Sequence, residues 1–176
     1  MQLFFRPTEN KYEGEGILPH GTFNNTNEWN PLIKYLEKGA LEFPDKTMFK
    51  MGDGNGKIIE QFTYKETNQK SNQIANYLIE NCSINSEDKI GIFMLNSSEF
   101  VFSILATHKT GAIQVPVNKD EKGERLLYVI NYSEMKVLII DKSAIDLIKP
   151  IADKFENLTK IFISGGEGDI PSNLGK

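Results

Sequence analysis

Cysteine is nearly missing from this sequence: Cys82 stands alone among 176 residues. A single thiol rules out an internal disulfide framework, and a reduced, cytoplasmic setting is the simplest expectation. Histidine is almost as scarce, limited to His20 and His108. Neither stands near another His or Cys at metal-ligand spacing, so no metal site is expected. An excess of positive charge is missing as well. The 20 Lys and Arg are outnumbered by 24 Asp and Glu, a formal charge of −4, and no basic stripe interrupts that balance. A nucleic-acid partner is therefore excluded as the leading reading. Long apolar runs are absent too; "KIGIFML" and "KVLII" are far too short to span a bilayer. The opening "MQLFFRPTEN" lacks the basic start, long apolar stretch and small-residue cleavage site of a signal peptide.

What is present has ordinary globular proportions, 39% hydrophobic and 25% charged, enough to bury a core in one domain or slightly more. Residues 1–27 are rich in Gly, Asn, Thr and Glu and read as an irregular arm. From "NEWNPLIKYLEKGALEFPDK" the pattern becomes helical. Pro31 suits a first turn, Trp29, Leu32, Ile33 and Leu36 share a face, and Gly39 and Pro44 mark the exit. "TMFKMGDGNGKIIEQFTY" reads as a hairpin turning at Asp53–Gly56. Thr63 and Glu66 stand in a capping-box relation at the start of a helix that keeps Thr67, Ser71, Ile74, Ala75 and Leu78 on one face.

Strand and helix then alternate. "KIGIFML" is a strand and "NSSEFVFSILATHKTG" a helix capped by Asn96 or Ser97 and closed by Gly111. "AIQVPV" is a strand, "DEKGERLLYVINYS" a helix, "KVLIID" a strand, "KSAIDLIKPIADKFE" a helix and "KIFIS" a strand. This order implies crossovers onto a mostly parallel sheet. The expected fold is α/β, a three-layer sandwich of sheet and flanking helices, with the arm and the hairpin added. The domain spans residues 28–163, and residues 164–176 form a flexible tail.

Chemistry-bearing motifs are few. "GDGNG" is followed by another strand rather than a helix, so no helix N-terminus points at an anion, and it reads as a hairpin turn. "GGEGDIPSNLGK" fails the phosphate-loop pattern because Ile170 stands where a glycine is needed. "GEGILPHG" reads as loop. His108 reads as a partly exposed helix residue, and nothing in the spacing brings Cys82 to a histidine. Glu87/Asp88 and Asp120/Glu121 sit at element starts, where negative charge favours the helix dipole. Pro116 poses a question, since proline cannot donate to a sheet ladder.

The order of segments is more specific than any one motif. "FPDKTMF", "FTYKETNQKSNQIANYLI", "SEDKIGIFMLNSSEFVFSILATHKTGAIQVPVN" and "YVINYSEMKVLIID" together resemble the amino-terminal part of the adenylate-forming superfamily. That superfamily comprises acyl-CoA synthetases, firefly-luciferase-like enzymes and peptide-synthetase adenylation domains. "FTYKETNQ" is similar to its first core motif, with Thr63, Tyr64 and Glu66 in place and Thr67 where a Leu is usual. "HKTGAIQVPVN" is similar to its second, Lys-x-Gly-Ala followed by a strand ending in proline. The resemblance runs from about residue 29 to 163 and is nearest to crotonobetaine/carnitine-CoA and fatty-acyl-CoA ligases.

The resemblance implies a parent enzyme that uses ATP, Mg and CoA to activate a small carboxylic acid. It assigns no ATP-site or catalytic residue to this chain, because the Ser/Thr/Gly-rich loop ending in Pro-Lys does not occur in it. No cofactor is expected to bind this chain alone. Gly111, Ala112 and Pro116 are implied to shape the fold, with Gly111 and Ala112 allowing a close helix-to-strand turn. Asn118 and Lys119 are implied on the CoA side, Lys119 meeting a phosphate as a point charge. At the level of residues alone, Asn118 or Asp120 instead caps the next helix and Lys119 is solvated. The implied partner is the remainder of the ligase's amino-terminal domain. Without it, the helices carrying "EFVFSILATH" and "ERLLYVINY" are expected to expose an apolar face and favour a homodimer. The alternative function is a non-catalytic docking module.

Overall fold

The computed structural model describes residues 3–4 and 31–165. The arm, Trp29, His20 and the tail beyond Gly165 therefore lie outside the described residues, apart from the backbone of Leu3–Phe4. In chain order the elements are β1 (Leu3–Phe4), α1 (Pro31–Glu42), β2 (Thr47–Gly52), β3 (Ile58–Thr63), α2 (Tyr64–Cys82), β4 (Lys89–Phe93) and α3 (Ser98–Thr110). There follow β5 (Ile113–Pro116), α4 (Gly123–Tyr132), β6 (Val137–Asp141), α5 (Ile145–Ile148) and β7 (Lys160–Ser164). They fall into two compact units, one holding residues 3–4, 84–96 and 112–165, the other 31–83 and 97–111.

The first unit is a five-stranded sheet in the order β1-β7-β6-β4-β5. Every pairing is parallel. Strands buried on both faces should read as continuous apolar runs, and β4, β6 and β7 do. Phe93, Leu138, Ile140, Ile161 and Ile163 point to one face and pack with Leu126 and Ile130 of α4 and Ile145 and Ile148 of α5. By the period-2 alternation Ile90, Ile92, Val137, Ile139 and Phe162 occupy the opposite face, and they are buried as well. Gly91 leaves room for this packing, because a Cβ there would meet the Met135 sulfur at 2.3 Å.

The order also answers the question raised by Pro116. Ile113 and Val117 donate to the carbonyls of Asp88 and Ile92. In a parallel ladder alternate residues face the partner, so the nitrogens of Gln114 and Pro116 face away from β4. Among the described residues β5 has no neighbour on that side. The proline therefore removes a donor that the ladder does not use, and it leaves the edge less able to recruit another strand.

The second unit packs α1, α2 and α3 with the β2–β3 hairpin. Ile33, Leu36 and Leu105 form its apolar centre, joined by Met48, Tyr64 and Val101. Phe62 packs edge-on against Phe102 at 5.0 Å and beside Phe49 at 5.3 Å, and the Lys70 ammonium lies over the Phe102 ring at 5.6 Å. The Asp53 carboxylate accepts from the N–H groups of Asn55 and Lys57, each at 2.9 Å, which closes the hairpin turn.

Several expectations are corrected. Gly39 does not end α1, which continues to Glu42. Its role is close approach, since a Cβ on Gly39 would lie 2.4 Å from the Tyr64 ring. Leu32 is 45% exposed while Ile33 and Leu36 are buried, so the apolar face of α1 is narrower than its periodicity predicts. The expected long helix after β6 is a 3-10 turn (Lys142–Ala144), the single turn α5, and a second 3-10 segment (Lys149–Lys154). Pro150 accounts for the end of α5, because it can neither donate to the turn before it nor fit its ring beneath that turn. Neither Asn118 nor Asp120 caps α4; its N-cap is Lys122, without a side-chain cap bond. Finally, Phe102, Leu105 and Ala106 of α3 and Leu126 and Ile130 of α4 are buried, so the apolar face expected on these helices is largely covered. What α4 leaves exposed is Tyr128 and Tyr132, stacked at 5.2 Å.

Replacing Gly39 by Val should destabilise the protein by about 1–3 kcal/mol, because the Tyr64 ring is rigid and cannot yield as a flexible chain would. Urea unfolding of the variant beside the parent checks this. An unchanged midpoint would show that the ring swings aside.

Candidate functional site at the carboxyl ends of the parallel strands

In open parallel sheets, ligands bind outside the carboxyl ends of the strands, where the chain reverses its direction of travel across the sheet. Here β5 lies on one side of β4 and β6 on the other, so that point falls between β4 and β6. The groups gathered there come from the turns after three strands. Asp141 ends β6, and its carboxylate accepts the Leu95 N–H at 2.6 Å, just beyond β4. The same carboxylate accepts from the Ser143 N–H at 2.8 Å and from the Ser143 hydroxyl. Burial pushes the Asp141 carboxyl up, but these bonds from Ser143 and Leu95, with the Lys119 cation nearby, hold it below its ordinary value.

Asn118 and Lys119 follow β5 at this end of the sheet. The Asn118 side-chain oxygen accepts the Asp120 N–H at 3.0 Å, and its backbone carbonyl accepts the Glu121 N–H at 3.0 Å. Asn118 thus builds a turn ahead of α4. Lys119 is half-buried and sits close enough to Asp141 to favour its ionised form. The site therefore pairs one cation with one carboxylate that already accepts from Leu95 and Ser143. Sequence reading missed Asp141 and Leu95, since a strand-end aspartate 46 residues from its partner carries no local signature.

The remaining motif residues lie elsewhere. Thr63 and Glu66 form the capping box of α2: Thr63 Oγ1 accepts the Glu66 N–H at 3.2 Å, and Glu66 Oε2 accepts the Thr63 N–H at 2.8 Å. The backbone and side-chain bonds from Thr63 hold the Glu66 carboxyl below its usual value. Tyr64 opens α2 with its ring against Gly39. Gly111 caps α3 at φ 78°, the left-handed region that glycine enters without strain. That handedness accounts for a glycine at this position. Ala112 is buried and Pro116 is exposed at the end of β5. His108 is half-buried on α3, and Cys82 is buried at the end of α2. Among the described residues no group of three His, Cys, Asp or Glu is placed to hold a metal ion. No described helix is long and apolar enough to cross a membrane.

The profile of the AMP-binding enzyme family matches residues 36–171. The chain belongs to that family. Among proteins similar to it, gramicidin S synthase 1 of Brevibacillus brevis is 31% identical over 150 residues, covering 79% of this chain and 13% of that protein. Crotonobetaine/carnitine–CoA ligase of Proteus mirabilis is 28% identical over 136 residues, covering 77% of this chain and 24% of the ligase. The chain thus spans about a quarter or less of these relatives. A long-chain-fatty-acid-CoA ligase of Archaeoglobus fulgidus superposes with a TM-score of 0.65 at 23% identity, over 77% of this chain and 27% of that one. The anthranilate CoA ligase AuaEII superposes at 0.66 and 23% identity, over 82% of this chain and 26% of that one. At such identities the structural likeness establishes the fold alone.

Two predictions follow from the geometry. Because the folded-state pKa of Asp141 is depressed, its contribution to stability is present above the ordinary carboxylate range and lost as pH falls through the lowered value. Asp141→Asn should therefore lower Tm at pH 7, with the gap to the parent closing below about pH 4. A pH-independent gap would show that the charge is immaterial. Gly111→Val should cost about 1–3 kcal/mol through its left-handed backbone, and Gly111→Asn markedly less. Equal losses from both would exclude backbone handedness as the cause.

Proposed function

We propose that this chain is the amino-terminal segment of an AMP-forming acyl-CoA ligase. In the parent, a carboxylate attacks the α-phosphorus of ATP, giving an acyl-adenylate and pyrophosphate. The thiol of CoA then displaces AMP to give acyl-CoA. The observation that carries the reading is the AMP-binding match over residues 36–171. The ordered core-motif segments "FTYKETNQ" and "HKTGAIQVPVN" support it, as does the presence of a crotonobetaine/carnitine–CoA ligase among the similar proteins.

Lys119, with Asn118 beside it, is the group in this chain best placed for the CoA side, as one cation at the carboxyl end of the sheet. The fit is partial. Asp141 already draws on that cation, and the Asn118 oxygen is engaged within its own turn. For ATP and Mg the donor set does not fit: the sequence offers no Ser/Thr/Gly-rich loop ending in Pro-Lys, and the described residues hold no acidic cluster for a divalent ion. No step of the reaction is therefore assigned to residues of this chain, and we expect these 176 residues alone to be inactive. A homodimer of the isolated chain, if formed, uses the exposed Tyr128 and Tyr132 rather than α3. Light scattering of the Tyr128→Ser/Tyr132→Ser variant across a hundredfold concentration range checks that, and dimerisation unchanged by the substitutions would exclude this surface.

The decisive assay is carboxylate-dependent exchange of pyrophosphate into ATP, with acetate, butyrate, crotonobetaine and a longer fatty acid. The 176-residue chain should give no exchange above a protein-free control. Exchange by this chain would overturn the reading that its working parts lie elsewhere in the parent.

A further inference from the structure

Lys109 belongs to the Lys-x-Gly-Ala motif, yet the functional reading gives it no task. Its side chain is 0% exposed, within the unit built by α1, α2 and α3. Its ammonium donates to Glu37 Oε1 of α1 at 3.2 Å and to Asn68 Oδ1 of α2 at 2.9 Å. An ammonium carries three donors, so two acceptors leave one proton over. On α2 the deficit is of the opposite kind. The side-chain oxygens of Asn72 and Asn76 are buried and have no hydrogen-bond partner, and the residues themselves are 8% and 5% exposed. A buried acceptor without a donor is destabilising.

Asn68, which holds the ammonium, stands in one helical row with the two orphan acceptors. Asn68, Asn72 and Asn76 are spaced i, i+4 and i+8, so each stands about 6 Å beyond the last along the helix. Neither orphan oxygen takes a direct bond from the ammonium held at Asn68, and a molecule that both donates and accepts suits that arrangement. Water is the small ligand that does both, and buried waters typically make two to four such bonds.

We propose that ordered water binds along this row, bridging Lys109 Nζ to Asn72 Oδ1 and continuing to Asn76 Oδ1, so that the three-helix junction is a hydrated polar hub. Burial is the largest influence on the Lys109 ammonium and pushes its pKa down, with Glu37 opposing it. A third hydrogen bond from water favours the charged form in the same way as Glu37.

A high-resolution crystal structure of the 176-residue chain should show water within about 3.2 Å of both asparagine oxygens, one molecule shared with Lys109 Nζ. Protein donors on both oxygens, or a dry contact there, would overturn the proposal. Asn72→Leu and Asn76→Leu supply a second readout. Each should lower Tm by roughly 3–8 °C by breaking the bridge. An unchanged or raised Tm would show that a dry orphan had been removed. In Lys109→Met the water at Asn72 should be lost, and its persistence would exclude the lysine as its donor.

Discussion

Strand β4 bonds on both sides, to β5 through Lys89–Ile92 and to β6 through Ile90–Phe93. The rest of the first unit depends on that double pairing. A strand with neighbours on both edges and covered faces has no polar backbone group facing water, so each N–H and C=O must find a ladder partner. The sequence meets this demand with β-branched and aromatic side chains and one glycine, Gly91, where Met135 and Leu138 press closest. Parallel pairing in turn forces long connections, and the connections set where the carboxyl-end turns converge. Asp141 spans two of those turns by accepting from Leu95 and Ser143. The geometry of the candidate site is thus a consequence of the ladder.

One of these connections explains the second core motif. After Asn96 the chain leaves the first unit, and it returns at Ala112. The helix between is closed at both ends: the Ser97 hydroxyl accepts the Phe100 N–H, and Gly111 turns left-handed after Thr110. Within four residues the motif ends a helix core with Lys109, stops the helix with Gly111, and begins a strand approach with buried Ala112. Each residue type serves a distinct physical need. Only the lysine brings charge into an interior, and Glu37 and Asn68 meet it there. Removing either partner would leave that charge short of acceptors, so the three helices are tied more specifically than apolar contacts alone would achieve.

Local rules of the chain were legible wherever the determining interaction was local. Thr63 and Glu66 are three residues apart, and the capping box forms as their spacing predicts. Apolar runs and their alternation with helices yielded the parallel sheet, and "GDGNG" yielded the hairpin turn. Reading failed where the cause lay far along the chain. Gly39 looks like a helix stop until Tyr64 is known to lie on it. The segment after β6 has helical periodicity, but Pro150 ends α5 after a single turn. Apolar residues of α3 looked exposed in isolation because Phe49 and Phe62, which cover Phe102, come from the hairpin some forty to fifty residues earlier. Neither Asp141–Leu95 nor Lys109–Glu37 has any signature in sequence spacing.

The same division bears on chemistry. Family membership rests on residues that shape backbone: caps, a left-handed turn, an edge proline and buried strands. These are positions where substitution disturbs the fold, whatever substrate the site takes. Groups that would act on a phosphate or a carboxylate must instead stand free at a surface, with uncommitted donors. Among the described residues at the carboxyl end of the sheet, Lys119 is a half-buried cation, and Asp141 already draws on its charge.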